Sequence, residues 1–148
     1  MTIPFSLKSA ALSALMAATL AAGPALAEEN SFLTVTQLGA RNSIGVEQDG
    51  ARHRATIYQR GEDHLAMLTQ DGNRNRTVVG QSGKHHDAFT GQHGRDNIAG
   101  IAQFGKGHKA GIKQKGRHNA AAVIQAGDGK TANITQRGRG NVIVVIQN

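Results

Sequence analysis

Three groupings of side chains in this 148-residue chain could do chemistry. His64, His86 and His108 recur every 22 residues, and imidazoles drawn into one column could bridge a borderline metal such as Zn²⁺ or Cu²⁺. The ten acidic residues would serve hydrolysis if two of them faced each other across a groove. Arg52, Arg54, Arg74, Arg76, Arg95, Arg117, Arg137 and Arg139, eight of the ten arginines, could hold a polyanion by counter-ion release. Thiolate chemistry is excluded: the chain has no Cys, hence no disulfide framework and no thiolate zinc or iron–sulfur site. Its length allows one domain of ordinary size, about 100–150 residues. With five aromatics (Phe5, Phe32, Tyr58, Phe89, Phe104) and no Trp, it is poor in the side chains that dominate a globular core. Charged residues are only 18%, too few for a disordered polyelectrolyte. A repeat is the device that could position these groups without a large core.

The repeat is present. Gln falls at 37, 48, 59, 70, 81, 92, 103, 114, 125, 136 and 147, a strict step of 11. Two residues after each of the first ten stands Gly: Gly39, Gly50, Gly61, Gly72, Gly83, Gly94, Gly105, Gly116, Gly127 and Gly138. Five residues after comes Asn, His or, once, Lys; seven after, a small or β-branched residue, mostly Ala; nine after, usually Val or Ile. An 11-residue period suits a hendecad helix, but an interior Gly in every unit would cost about 1 kcal/mol each, and apolar positions two apart have strand spacing. The alternative is a strand of about six residues and a tight turn of about five. Gly, and next to it Asn, tolerates the positive φ such a turn needs. Two units then make a 22-residue rung, and rungs stack into an all-β solenoid of two facing parallel sheets. Eleven strands are expected, from Ser31–Gln37 to Val142–Gln147.

Stacking at about 4.8 Å places residues 22 apart over one another. The glutamines form two inward columns, 37-59-81-103-125-147 and 48-70-92-114-136, whose amides can each donate to and accept from a neighbour. The columns are thus expected to be structural ladders, and the glycines the turn residues.

This stacking decides among the three chemistries. No carboxylate pair converges on a flat face, so no catalytic residue is assigned. Stacked imidazoles do not converge tetrahedrally on one ion; His64, His86 and His108 read as polar turn residues standing in for Asn, with rings free to swing outward, and no metal or cofactor is assigned. Protonated rings would repel one another, so assembly is expected to slow between about pH 7 and 5. The arginines gather on one edge: alternate turns, at 49–54, 71–76, 93–98, 115–120 and 137–142, carry a net charge of +6, against +2 for the other five. That edge would attract any polyanion.

The N-terminus reads as an address. Lys8, an apolar run from Ala10 to Ala22, Gly23-Pro24 and Ala25-Leu26-Ala27 follow the order of a secretory signal peptide; the run is shorter than the roughly 20 residues that span a bilayer. Cleavage after Ala27 divides the chain into a signal peptide, 1–27, and a repeat domain, 28–148. Removing 27 residues from 148 leaves 121, and since Lys8 is the only charge lost the net charge falls from +7 to +6. The mature chain has no second apolar span.

The units Gln114-Lys115-Gly116-Arg117-His118-Asn119-Ala120-Ala121 and Gln136-Arg137-Gly138-Arg139-Gly140-Asn141 resemble curlin repeats, and Ser31 to Gln37 reproduces their opening Ser-x5-Gln. The resemblance covers essentially all of 31–148. It implies a secreted subunit of curli, the extracellular amyloid fibres of bacterial biofilms and surface adhesion. It also implies as partners further copies of the chain, other curlin subunits, and the secretion pore and periplasmic chaperones of that pathway; the Arg edge adds extracellular DNA or acidic polysaccharide. Two departures stand out: only Glu28-Glu29-Asn30 separates the cleavage site from the repeats, and His replaces the turn Asn in four units. Basic, uneven repeats resemble the nucleating curlin more than the major one; both roles stay open. The competing reading is a basic solenoid matrix protein that binds polyanions without polymerising.

Overall fold

The protein is described by a computed structural model of residues 31–148; the expected signal peptide and cleavage site lie outside the described residues. Strict alternation of inward Ala, Val/Ile and Gln with outward residues yields eleven strands: β1 (Phe32–Ala40), β2 (Ser43–Ala51), β3 (Arg54–Glu62), β4 (Leu65–Asn73), β5 (Arg76–Lys84), β6 (Asp87–Arg95), β7 (Ile98–Lys106), β8 (Lys109–Arg117), β9 (Ala120–Asp128), β10 (Thr131–Arg139) and β11 (Val142–Gln147). Odd strands form one sheet in the order β1-β3-β5-β7-β9-β11 and even strands the other, β10-β8-β6-β4-β2. Every pairing is parallel and offset by 22 residues, as in Gln59↔Gln81 and Gln70↔Gln92. The chain is an all-β solenoid of 22-residue rungs.

The strands are longer than expected and the joints shorter. Ten strands have nine residues, not about six, and two residues separate each from the next. The reason is the glycine two residues after Gln. Its positive φ, for example +129° at Gly83, bends the chain while Gly61, Gly83 and Gly105 remain register partners, so the ladder runs on through the bend. A second left-handed residue closes each corner two positions later. Arg41, Arg52, Asp63, Arg74, His85, Asp96 and His118 take φ between 55° and 59°, and Gly107, Gly129 and Gly140 fill the same slot.

The core is thin and half polar. Its apolar part is Ala and aliphatic side chains, with no aromatic ring, such as Ala55, Ile57, Leu68, Val79 and Ile112. Among the described residues seventeen polar residues are buried against fourteen hydrophobic ones, so polar satisfaction, more than apolar area, decides whether the core holds. It is nearly complete: among the described residues only the Thr90 hydroxyl is buried without a hydrogen-bond partner.

Candidate functional site

The functional surface of a repeat with identical layers is the layer itself, and its chemistry sits in the two inward columns at each corner. The first is glutamine. Gln37, Gln59, Gln81, Gln103 and Gln125 each donate from Nε2 to Oε1 of the Gln one rung on, ending at Gln147, over 2.8–3.1 Å. Gln48, Gln70, Gln92 and Gln114 do the same up to Gln136, over 2.7–2.9 Å. The second Nε2 hydrogen reaches across the core to a main-chain carbonyl of the opposite sheet, as from Gln92 to Arg76 at 3.0 Å and Gln114 to Ile98 at 2.9 Å. The seven inner amides, from Gln59 to Gln125, therefore each tie a rung to the next and one sheet to the other. Truncating one would strand a buried amide partner, which costs about 1–3 kcal/mol.

The second column is the Asn/His position five residues after Gln, and here the structure corrects the turn-residue reading. These side chains point inward: His64, His86, His108, Asn75, Asn97 and Asn119 are at most 1% exposed. None of them is a positive-φ residue; that role falls to the residue before. Asn75 donates to Asp71 O at 2.9 Å while its Oδ1 accepts the main-chain N–H and side-chain amide of Asn97, both at 3.1 Å. Histidine performs the same two tasks. Nε2 of His64, His86 and His108 faces the carbonyl four residues back at 3.0–3.2 Å, so it must carry the hydrogen and donate. Nδ1 accepts the main-chain N–H one rung on, from His86 at 3.3 Å, His108 at 3.2 Å and Lys130 at 3.0 Å. The rings stack at 4.9 and 5.0 Å, within 6° of parallel. They do not swing outward, and both nitrogens of each are committed, leaving no lone pair for a metal. Burial pushes the His64 imidazole below its ordinary value and that of His86 down to about 4. Burial, ahead of the mutual repulsion expected from sequence, is the main cause for both; Asp63 pulls His64 back up and His85 pushes it down, while neighbouring histidines add to the fall at His86. The clue available in the sequence is that Asn and His each offer an acceptor at the δ position (Oδ1 or Nδ1) and a separate N–H donor (Nδ2 or Nε2).

The corners differ outside. Arg52, Arg54, Arg74, Arg76, Arg95, Arg117, Arg137 and Arg139 all lie exposed on the edge where even strands pass to odd ones. Arg54 and Arg76 are register neighbours, as are Arg95, Arg117 and Arg139. Among the described residues none of the eight forms a salt bridge; Arg54 lies over the Phe32 ring at 5.8 Å. On the opposite edge, of net charge +2, acidic and basic side chains pair with one another. Arg41 grips Asp63 at 2.6 and 2.8 Å, holding that carboxyl below its usual range, and Lys84 and Lys109 pair with Glu62 and Asp87 at 3.5 and 3.4 Å.

The repeat that carries these columns is a known one. The family described as the curlin associated repeat matches residues 29–61, 61–94, 87–116 and 110–138. The chain belongs to the curlin family. Curlins are structural subunits that self-associate into extracellular fibres, and they are not an enzyme family. This curlin has no curated protein and no solved structure that matches it. Among its described residues no helix is long and apolar enough to cross a membrane. Its matched segments span the Gln and Asn/His columns from Gln37 to Gln136.

Proposed function

We propose that the protein is a secreted structural subunit of curli-like amyloid fibres, contributing to biofilm matrix and surface adhesion, and that it grows by end-to-end β-strand templating. The observation that supports this most is the sameness of the rungs. Among the described residues, β1 and β2 at one end, and β10 and β11 at the other, have a sheet partner on one side only, leaving unpaired rows that template further strands. The Gln columns are polar, each amide donating in the same direction, so one end offers acceptors and the other donors to a second copy. With this reading go a signal peptide at 1–27, a repeat domain at 28–148, export by the pore and chaperones of the curli pathway, and assembly with other curlin subunits.

Incubating the purified mature chain alone, and then with a second curlin of the same genome, tests this. Dye-binding, β-rich fibres from the chain alone indicate a polymer subunit; substoichiometric seeding of the partner indicates a nucleator. A helical monomer that stays soluble at high concentration and seeds nothing contradicts both.

The unpaired Arg edge gives the fibre a second property. Binding of DNA or an acidic polysaccharide is expected to fall steeply with salt and to ignore sequence, because the attraction is to phosphate or carboxylate charge alone. Arg52→Gln, Arg54→Gln, Arg74→Gln and Arg76→Gln together should weaken it, lowering the logarithmic salt slope by about 1 for each phosphate-binding arginine removed, without stopping fibre growth. Salt-independent or sequence-selective binding, measured by filter retention across a salt series, contradicts this.

A further inference from the structure

Odd and even strands are built alike. Each 11-residue unit maps onto the next by one operation, a half turn about the solenoid axis with a rise of about 2.4 Å, so that sheet neighbours lie about 4.8 Å apart. The eleven described strands are an odd number of such units. The last, β11, therefore lies in the same sheet as the first, β1, and the two sheets have six strands and five. A second copy set with β1 on β11 would leave the space of one strand open in the even sheet, between β10 and the incoming β2. Two strand edges and the remaining Gln136 N–H would go unpaired there.

The corner columns end unequally as well. The column Asn75-Asn97-Asn119 ends at Asn141, which donates to Asn119 and whose Oδ1 accepts no hydrogen bond among the described residues. The column His64-His86-His108 ends at Lys130. His108 Nδ1 accepts the Lys130 main-chain N–H, and the ammonium beyond is a donor only. At the other end Asn42 gives its Oδ1 to the N–H of His64 at 3.1 Å, while its own main-chain N–H has no acceptor among the described residues. Asn141 can supply that acceptor and Lys130 cannot.

We propose that successive chains join with their sheets exchanged: β1 of the incoming chain pairs with β10, and its β2 with β11, so that each chain is turned half a turn from the last. The proposal rests on the fibre reading above. Such a joint is one more step of the operation that relates the units within a chain, and every register continues across it. Gln136 donates to Gln37 of the incoming chain and Gln147 to its Gln48, while Asn141 accepts the N–H of its Asn42. The N–H groups of Thr131 and Val142 meet the carbonyls of its Ser31 and Asn42, as those of Lys109 and Ala120 meet Lys130 and Asn141 at 2.8 Å within one chain. The half-buried Leu33 and Val35 land on Ala132 and Ile134. The axial repeat becomes two chains, about 53 Å. The arginine edge, +6 against +2, then changes sides at every joint, and like charge does not accumulate along one side of the fibre.

Cysteine pairs test the joint directly, because the chain has no Cys of its own. Thr36 and Thr135 each stand one residue before an inward Gln, on outward positions of β1 and β10. Within one chain these strands lie in different sheets; across the exchanged joint they are neighbours at about 4.8 Å. Fibres of the mature chain carrying Thr36→Cys and Thr135→Cys are treated with a phenylene bis-maleimide, too short to reach around two sheets packed about 10 Å apart. On a denaturing gel they should run as dimers and longer ladders. Glu47→Cys with Ile146→Cys, which reads β2 against β11, should do the same and serves if the first pair fails to grow. Thr36→Cys with Ile146→Cys should run as single chains, since the exchanged joint puts β1 and β11 in opposite sheets. Linking of this last pair, or of no pair at all, overturns the exchanged joint while leaving the fibre reading intact. Absence of any wild-type fibre overturns the fibre reading and this proposal with it.

Discussion

Gly83→Ala is expected to abolish stacking of the solenoid, whereas Gly91→Ala should leave it intact. Gly83 sits at φ +129°, where an L-residue is strained by about 1–3 kcal/mol. A Cβ there would also run into the carbonyl oxygen of Gly105, which belongs to the backbone of the next rung and cannot turn aside. To make room the rungs must part, and the strand pairing between β5 and β7 goes with them. The sum is several kcal/mol, comparable with the whole stability of a small domain, about 5–15 kcal/mol. Gly91 has ordinary backbone, and a Cβ added to it would meet nothing within 4 Å; alanine there removes unfolded-state freedom and should be neutral or stabilising by about 0.4–1 kcal/mol. The comparison is read as β-sheet circular dichroism and fibre lag time. Equal lag times for the two variants would mean that the rungs are not packed as described.

The second large effect is acid sensitivity carried by the imidazole column. In the fold each ring must keep Nδ1 unprotonated to accept the next rung's N–H. A proton there turns an acceptor into a second donor facing a donor. Burial accordingly depresses His64 and takes His86 from 6.5 to about 4. Above pH 6.5 neither the folded nor the unfolded chain is protonated at His86, and its contribution to stability is whole. As pH falls below 6.5 the unfolded chain takes up the proton first, and stability is lost progressively until the folded state also protonates near pH 4. For His86 a shift of that size corresponds to roughly 3 kcal/mol at the acid end. Asp63, held low by Arg41, contributes stability above the ordinary carboxylate range that is lost only at still lower pH. The variant His64→Asn, His86→Asn, His108→Asn restores the arrangement of the Asn75-Asn97-Asn119 column, whose amides make the same two bonds without a titratable group. Its denaturation midpoint, followed between pH 7 and 4, should be nearly flat where the wild type declines. A parallel decline in the variant would place the acid sensitivity in the carboxylates instead.

The rung, the register and the inward Gln columns are legible in the sequence because two periods fix them independently. A step of 11 sets which residues stack, and alternation by two sets which face is inside, so Gln59 and Ile57 could not be buried without each other. The division of the arginines between edges follows from parity alone, since successive corners lie on opposite sides. The corners themselves are not legible in detail. Asn is favoured both where φ is positive and where a side chain must offer an acceptor and a donor together, and residue type does not say which applies at Asn75 or Asn97. The left-handed slot beside it is filled by Arg52, Asp63 and His85 as readily as by Gly107, because the side chain there points to solvent and only the backbone is constrained. A histidine's depressed basicity depends on burial, which stays invisible as long as the corner is taken for an exposed turn.

The central claim is that one chain builds several layers of the fibre by itself, and mass per length of single filaments tests it most directly. Eleven strands in two sheets, at about 4.8 Å per rung, give one chain for every 26 Å or so of fibre axis. A value near one mature chain per 26 Å, with a meridional reflection at about 4.8 Å, is the result expected. One chain per 4.8 Å, the signature of chains each lying flat in a single cross-β layer, would contradict the stacked solenoid outright.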